Sequence, residues 1–226
     1  MDIRKTLARA AGVGAVATAA LGLFSTGAAN ADTFVPLAGG NVVQTFSDGT
    51  QVHGWLDHES ANINPSMGST PVHRNAWVSG SAHVHLTGDS SVNGGAIYPG
   101  YVVGCQVNIA GGGVNASPSV GGSWDSSGKV TPSAGMSTGG NLSLGPGQAQ
   151  AFYILDIEKK DDFGQDHHST HMSFTGNDGS VSWKDETIGL TGCGGYAQAR
   201  SFVSYEINSS TIQGWVTLWG APFSLG

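Results

Sequence analysis

Basic side chains are scarce in this sequence. Nine of its 226 residues are Lys or Arg, against sixteen Asp or Glu, and between Asp32 and Glu158 only Arg74 and Lys129 carry a positive charge. A nucleic-acid surface needs clustered Lys and Arg facing phosphates, so that class of partner is excluded. Long apolar runs are missing after Ala31, and nothing there approaches the ~20 residues that a membrane-spanning helix requires. If this chain enters a membrane, it must do so as a β-barrel, the other architecture that satisfies its backbone in lipid. Helical periodicity is convincing nowhere. Catalytic signatures are lacking too: there is no Gly-x-Ser-x-Gly elbow, phosphate-binding loop or His-Glu-x-x-His. Asp161, Asp162, Asp166, Asp185 and Glu186 read as solvated charges rather than a carboxylate pair. No enzyme and no cofactor are expected.

What is present begins with a targeting pattern. Arg4, Lys5 and Arg9 form a positive start, an Ala/Gly/Leu-rich apolar stretch follows, and Ala29-Asn30-Ala31 supplies a small-x-small cleavage site. Residues 1–31 are therefore expected to be a signal peptide, with the exported chain starting at Asp32. That chain keeps six basic and fifteen acidic residues, a net charge of −9. Cys105 and Cys193 are its two cysteines. In an oxidising compartment such an isolated pair is expected to close a disulfide worth about 4–5 kcal/mol in the chain-entropy account. Two free buried thiols are the alternative.

Turn signals punctuate the chain at Ser47-Asp48-Gly49, Thr87-Gly88-Asp89, Gly145-Pro146-Gly147 and Asn177-Asp178-Gly179. Between them, apolar-alternating runs predict strands over 41–46, 76–86, 101–109, 151–157, 180–184, 197–207 and 211–218. The charged stretch 158–166 reads as a solvated loop. The expectation is an all-β protein with one compact sandwich-like domain.

Residues 110–144 stand apart. They have almost no large side chains but keep a two-residue period. Val114, Val120, Trp124, Val130 and Met136 fall on the even positions, with Asn115, Ser117, Ser119, Ser123, Thr131, Ser133, Ser137 and Asn141 on the odd ones. Asp125-Ser126-Ser127-Gly128-Lys129 is a turn-forming cluster between the halves. Strand side chains alternate between faces, so this pattern predicts a long hairpin with one mildly apolar face and one small polar face. Each arm has about fifteen residues, more than the ~9–11 that a tilted membrane strand needs. In a barrel the even positions would face lipid and the odd ones would line water. Composition alone favours a flexible Gly/Ser loop, and Pro118 and Pro132 would each remove a ladder hydrogen bond. Two strands cannot close a barrel, so a spanning hairpin requires a ring of subunits.

An ordered set of motifs runs along the whole exported chain. It begins with Ala31-Asp32-Thr33-Phe34-Val35-Pro36-Leu37, Ser47-Asp48-Gly49-Thr50 and Pro71-Val72-His73-Arg74-Asn75. Pro99-Gly100-Tyr101-Val102-Val103-Gly104-Cys105-Gln106-Val107, Leu142-Ser143-Leu144-Gly145-Pro146-Gly147 and Asp161-Asp162-Phe163-Gly164 follow. Asp185-Glu186-Thr187-Ile188-Gly189, Cys193-Gly194-Gly195-Tyr196-Ala197-Gln198-Ala199-Arg200 and Leu218-Trp219-Gly220-Ala221-Pro222-Phe223-Ser224 close the set. Together they resemble the MspA porin family in its rhodococcal and nocardial branch.

The resemblance implies a goblet-shaped oligomer in a mycolic-acid outer membrane that passes small hydrophilic solutes. Its mycobacterial members are octamers in which each subunit gives two strands to one barrel beneath a β-sandwich rim, and the nocardial branch can also assemble with a paralogous subunit. Residues 32–109 and 145–226 would be the rim and 110–144 the stem. The family's constriction is a ring of adjacent acidic residues at the hairpin tip, which falls on Asp125. Ser126 takes the second acidic place and Lys129 lies nearby, so the implied preference for cations is weakened relative to a double carboxylate ring. Asp125 is also an ordinary turn residue. Trp124 and Met136 would face lipid, with Trp124 in an interfacial girdle. The cysteines would tie the stem base to the rim.

Two rivals remain to be weighed. Ala82-His83-Val84-His85-Leu86-Thr87-Gly88-Asp89 resembles the copper-ligand strand of copper/zinc superoxide dismutases, and His83 and His85 would share a strand face. No histidine follows between Leu86 and Asp166, and His167, His168 and His171 lack a suitably spaced carboxylate, so no metal site is expected. The other rival is a secreted, cell-surface β-sandwich that binds a partner and forms no channel. It requires the Gly-rich segment to be loop.

Overall fold

The computed structural model describes residues 32–65, 72–88, 92–107, 123–124, 130–131, 140–143, 147–160, 162–164 and 166–226. The described residues form strands and no helix. In chain order the strands are β1 (Thr33–Pro36), β2 (Gly40–Thr45), β3 (Gln51–Pro65), β4 (Arg74–Thr87), β5 (Val92–Cys105), β6 (Ser123–Trp124), β7 (Val130–Thr131) and β8 (Gly140–Ser143). They continue as β9 (Ala149–Tyr153), β10 (Ile157–Lys160), β11 (Asp166–Ser169), β12 (Met172–Thr175), β13 (Asp178–Thr191), β14 (Ala197–Ser209) and β15 (Gln213–Ser224).

Two sheets make a sandwich. The first runs β1-β3-β4-β13-β8, with β2 also paired to β3; the second runs β12-β5-β14-β15, with β9 also on β5. Among the described residues every pairing in these two sheets is antiparallel except β8 with β13. Alternation explains why these residues build two layers. Along β4, Ala76, Val78, Gly80, Ala82, Val84 and Leu86 are buried while the alternate residues are at least partly exposed. Ile97, Tyr101 and Val103 of β5 and Val203, Tyr205 and Ile207 of β14 face them from the other sheet. Inward apolar side chains at every second position are what two packed sheets bury. Trp183 Nε1 donates to Tyr101 Oη across the layers at 3.2 Å, which satisfies a polar atom that burial would otherwise strand.

Three bulges distort this regularity around one point. His58 and Glu59 together oppose Gly80, Lys184 and Asp185 together oppose Ser79, and Gly220 and Ala221 together oppose Ser201. His58 (φ 51°) and Asp185 (φ 55°) adopt left-handed backbone, which an extra residue in a strand often requires. Gly80 has to be glycine, because an added Cβ would lie 2.6 Å from the Trp183 ring. The first bulge turns Glu59 inward. It is 3% exposed, and its carboxylate sits against Gly220 and Ser201. Neither oxygen has a hydrogen-bond partner among the described residues. Burial pushes its pKa up to about 7. The Ser201 hydroxyl beside it draws the value back in part, although the pair falls outside hydrogen-bond geometry.

The seven predicted strands are present, several of them longer than their patterns suggest, and four others complete the sandwich. β3 is the longest of these, and its period breaks at the Asp57–Ser60 bulge. One expectation is corrected. The stretch 158–166, read as a solvated loop, supplies a β-ribbon in which Glu158 pairs with His168 and Lys160 with Asp166. Charged residues can form strands where a two-stranded ribbon leaves its faces open to water. The Asp48 turn follows its sequence closely: Thr50 N donates to Asp48 Oδ1 at 2.9 Å and Ser209 Oγ donates to Oδ2 at 2.8 Å. The Thr50 amide contributes most to lowering the Asp48 pKa to about 2.

Candidate functional site

The segment proposed from sequence as a stem leaves the second sheet between β5 and β9. These strands pair from Gly100 with Tyr153 to Gly104 with Ala149, and two more bonds extend the pairing. Cys105 N donates to Gln148 O at 3.3 Å and Gly147 N to Cys105 O at 3.1 Å. The chain thus departs after Val107 and returns at Gly147 from neighbouring points on one ladder. Cys105 and Cys193 are disulfide-bonded, with Cα atoms 5.9 Å apart. The bond joins the end of β5, in the second sheet, to the turn that follows β13, in the first. The disulfide adds a covalent cross-link between the two sheets at this root.

Within the segment, β6 and β7 form a short antiparallel ribbon. Ser123 pairs with Thr131 and Trp124 with Val130. The five residues 125–129 connect them, where the sequence has its turn-forming cluster. Asp125, Ser126 and Lys129, the candidate constriction, lie outside the described residues. So do Asn115, Ser117, Ser119, Ser133 and Ser137 of the candidate lining, and Val114, Val120 and Met136 of the candidate lipid face. Asn141 is in β8, where it pairs in parallel with Gly189. The last part of the 110–144 segment therefore belongs to the edge of the first sheet, apart from the β6–β7 ribbon.

His58 and His83 share Asp57, whereas His85 and His168 each meet a carboxylate of their own. His83 stacks on Trp55 with ring centroids 5.0 Å apart and planes inclined by 10°, and its Nε2 is 3.4 Å from Asp57 Oδ1. His85 Nδ1 lies 2.6 Å from Asp178 Oδ1, and His168 Nδ1 lies 2.6 Å from Asp156 Oδ1. Among the described residues no group of three or more His, Cys, Asp or Glu is placed to hold a metal ion. No helix of the described residues is long and apolar enough to cross a membrane, which leaves crossing by strands untouched.

Sequence alternation missed one feature beside the root. Arg200 Nε donates to Gly220 O at 2.9 Å, and the guanidinium lies 5.2 Å from the centre of the Trp219 ring. The signal for it is present in β5, β14 and β15, where apolar residues occupy both faces and not only the inner one.

A β-sandwich with a hairpin-bearing excursion at one end of its second sheet is the architecture that these elements define. The family model of MspA matches residues 48–224, and the chain belongs to the MspA family. That family consists of homo-oligomeric outer-membrane porins, which are channels and not enzymes. Comparison with curated proteins gave no significant match.

Proposed function

We propose that this chain is one subunit of a ring, an octamer by family resemblance, whose hairpins close a water-filled barrel through a mycolic-acid outer membrane. Residues 1–31 direct export and are removed. Small hydrophilic solutes diffuse through passively, and cations are favoured. The family match, which spans both rim and stem, is the observation that carries the reading.

Register in the ribbon supports the assignment of faces. Positions paired across antiparallel strands share a face of the sheet. Ser123 and Thr131, both assigned to the lumen, are partners, as are Trp124 and Val130, both assigned to lipid. Asn115, Ser117, Ser119, Ser133 and Ser137 continue the lumen set along the two arms. Val114, Val120 and Met136 continue the lipid set. Asn141 ends the lumen set at the base of the segment, where β8 pairs with β13. At the tip, Asp125 from each subunit forms a carboxylate ring that attracts cations, and Lys129 partly offsets it. Ser126 adds a polar, uncharged neighbour. A paralogous subunit can take a place in the same ring.

The test is the reversal potential of single channels in a planar bilayer under a salt gradient. Wild-type channels are expected to reverse on the cation side, and Asp125→Asn is expected to move the reversal toward zero. A reversal potential that Asp125→Asn leaves unchanged would move the selectivity site elsewhere and sink this assignment.

A further inference from the structure

The outer face of the second sheet, the side turned away from the core, is unusually apolar. Tyr153, Gly100, Phe202 and Trp219 lie in one row across β9, β5, β14 and β15, and Ala151 and Val102 begin the next. Phe202 is fully buried on this outer side, with Tyr153 and Trp219 rings 5.9 and 5.7 Å away. Tyr98 and Trp215 extend the patch, their rings 5.2 Å apart. On the outer face of these strands the charged residues are Arg200 and Glu206. Glu206 is engaged by the Tyr98 hydroxyl at 2.9 Å. A chain with net charge −9 has here a nearly charge-free surface on which copies can approach without repulsion.

The patch ends in a groove of about 800 Å³ directly beside the stem root. Its floor is Val102, Gly104 and Ala149, and Tyr196, Arg200 and Trp219 stand around it. Tyr196 is 54% exposed. Glycine and alanine on the floor leave room for a visitor, and the aromatic walls supply area at low entropic cost.

Strand spacing says what that visitor is. Neighbouring strands lie about 4.8 Å apart, so a two-stranded hairpin takes up only about 10 Å of a barrel wall, increased somewhat by tilt. Two packed sheets with their outer side chains are wider than that. Sandwiches carried on adjacent hairpins must therefore press together where the hairpins leave them, and the groove lies at that point. Tyr98, Tyr153, Trp215 and Trp219 each keep part of their surface open on this face, and the groove lies at its end beside the root. We infer that this outer face, from Tyr98 and Trp215 to the Gly104 groove, is the surface on which the neighbouring copy of this chain docks. The neighbour presents a different surface, because a closed ring of more than two subunits requires heterologous contacts. The inference rests on the ring assembly proposed above.

Gly104→Trp tests it. An added Cβ at Gly104 has Ala149 Cβ as its nearest neighbour at 3.7 Å, so the fold accepts a side chain there while the indole fills the groove. Native mass spectrometry of detergent-extracted full-length chain should show a folded, disulfide-bonded monomer. Its ring population should fall at least about tenfold below wild type, since blocking a groove at an interface centre costs 1.4 kcal/mol or more. Tyr196→Glu, at an exposed position on the groove wall, provides a second variant independent of any strain at Gly104, with the same direction expected. Rings at wild-type abundance in both variants would overturn the inference while leaving the channel reading intact. A wild-type chain that is itself monomeric would overturn both.

Discussion

The β-sandwich and residues 110–144 are written with the same two-residue period and with different side chains. In β4, β5 and β14 the inward positions hold Leu86, Tyr101, Val103, Tyr205 and Ile207, all buried against the opposite sheet. In the segment the corresponding positions hold Val114, Val120, Val130 and Met136 separated by glycine, alanine and proline. Burial of apolar area stabilises by about 25 cal/mol per Å², so the first set closes a core within one chain and the second cannot. Small residues on both faces suit a wall between lipid and water, where neither face needs to fill a cavity. The difference teaches that one pattern can encode self-sufficiency or dependence on partners, according to the volume of its side chains.

Breaking the covalent joint between sheets should give the largest effect. Cys193→Ser opens the Cys105–Cys193 link, which spans 88 residues, and should lower unfolding stability of the monomer by about 4–5 kcal/mol in a denaturant titration. Next comes the buried carboxylate. The Glu59 pKa is raised in the folded state, so its protonated form is the one that burial favours. Stability from this group is fully present below about pH 4.5 and is lost as pH rises through about 7. Glu59→Gln should flatten that dependence and stabilise the fold at pH 8 by about 3 kcal/mol, as read from melts at pH 5 and pH 8. A wild-type profile that is flat from pH 5 to pH 8 would contradict this.

Smaller effects sharpen the contrast. Gly80→Ala pushes a methyl into the Trp183 ring and should cost about 1–3 kcal/mol in the same titration. Phe163→Ser removes a side chain that is 92% exposed and should change stability by less than about 0.5 kcal/mol. Asp125→Asn should leave the melting temperature unchanged and act only on ion preference.

Much of the sandwich was legible because β4 keeps its alternation throughout and the chain turns at places with a physical signature, such as Asp48-Gly49. β3 was not legible, since Asp57, His58 and Glu59 interrupt its pattern, and two residues set against Gly80 reverse which positions face inward. The ribbon of β10 and β11 escaped because Glu158, Lys159, Lys160 and Asp166 lack an apolar face. A two-stranded piece exposed to water does not need one. The place where residues 108–146 leave and rejoin the second sheet was legible through Cys105 and the Gly145-Pro146-Gly147 turn. The apolar outer face was not, because strand alternation assigns one face to the core and says nothing about apolar residues on the other. At the tip, the sequence predicts Asp125 within a turn, and the described part of the tip is the pairing of Ser123–Trp124 with Val130–Thr131.

The most direct test of the account is planar-bilayer conductance of the wild-type chain beside a variant in which residues 110–139 are replaced by a short Gly-Ser linker. Wild type should give discrete, long-lived steps. The variant should keep its disulfide and a cooperative melt, because the sandwich carries its own core, and should leave the bilayer silent. Steps of wild-type size from the shortened chain would show that the segment does not form the channel, and would contradict the account.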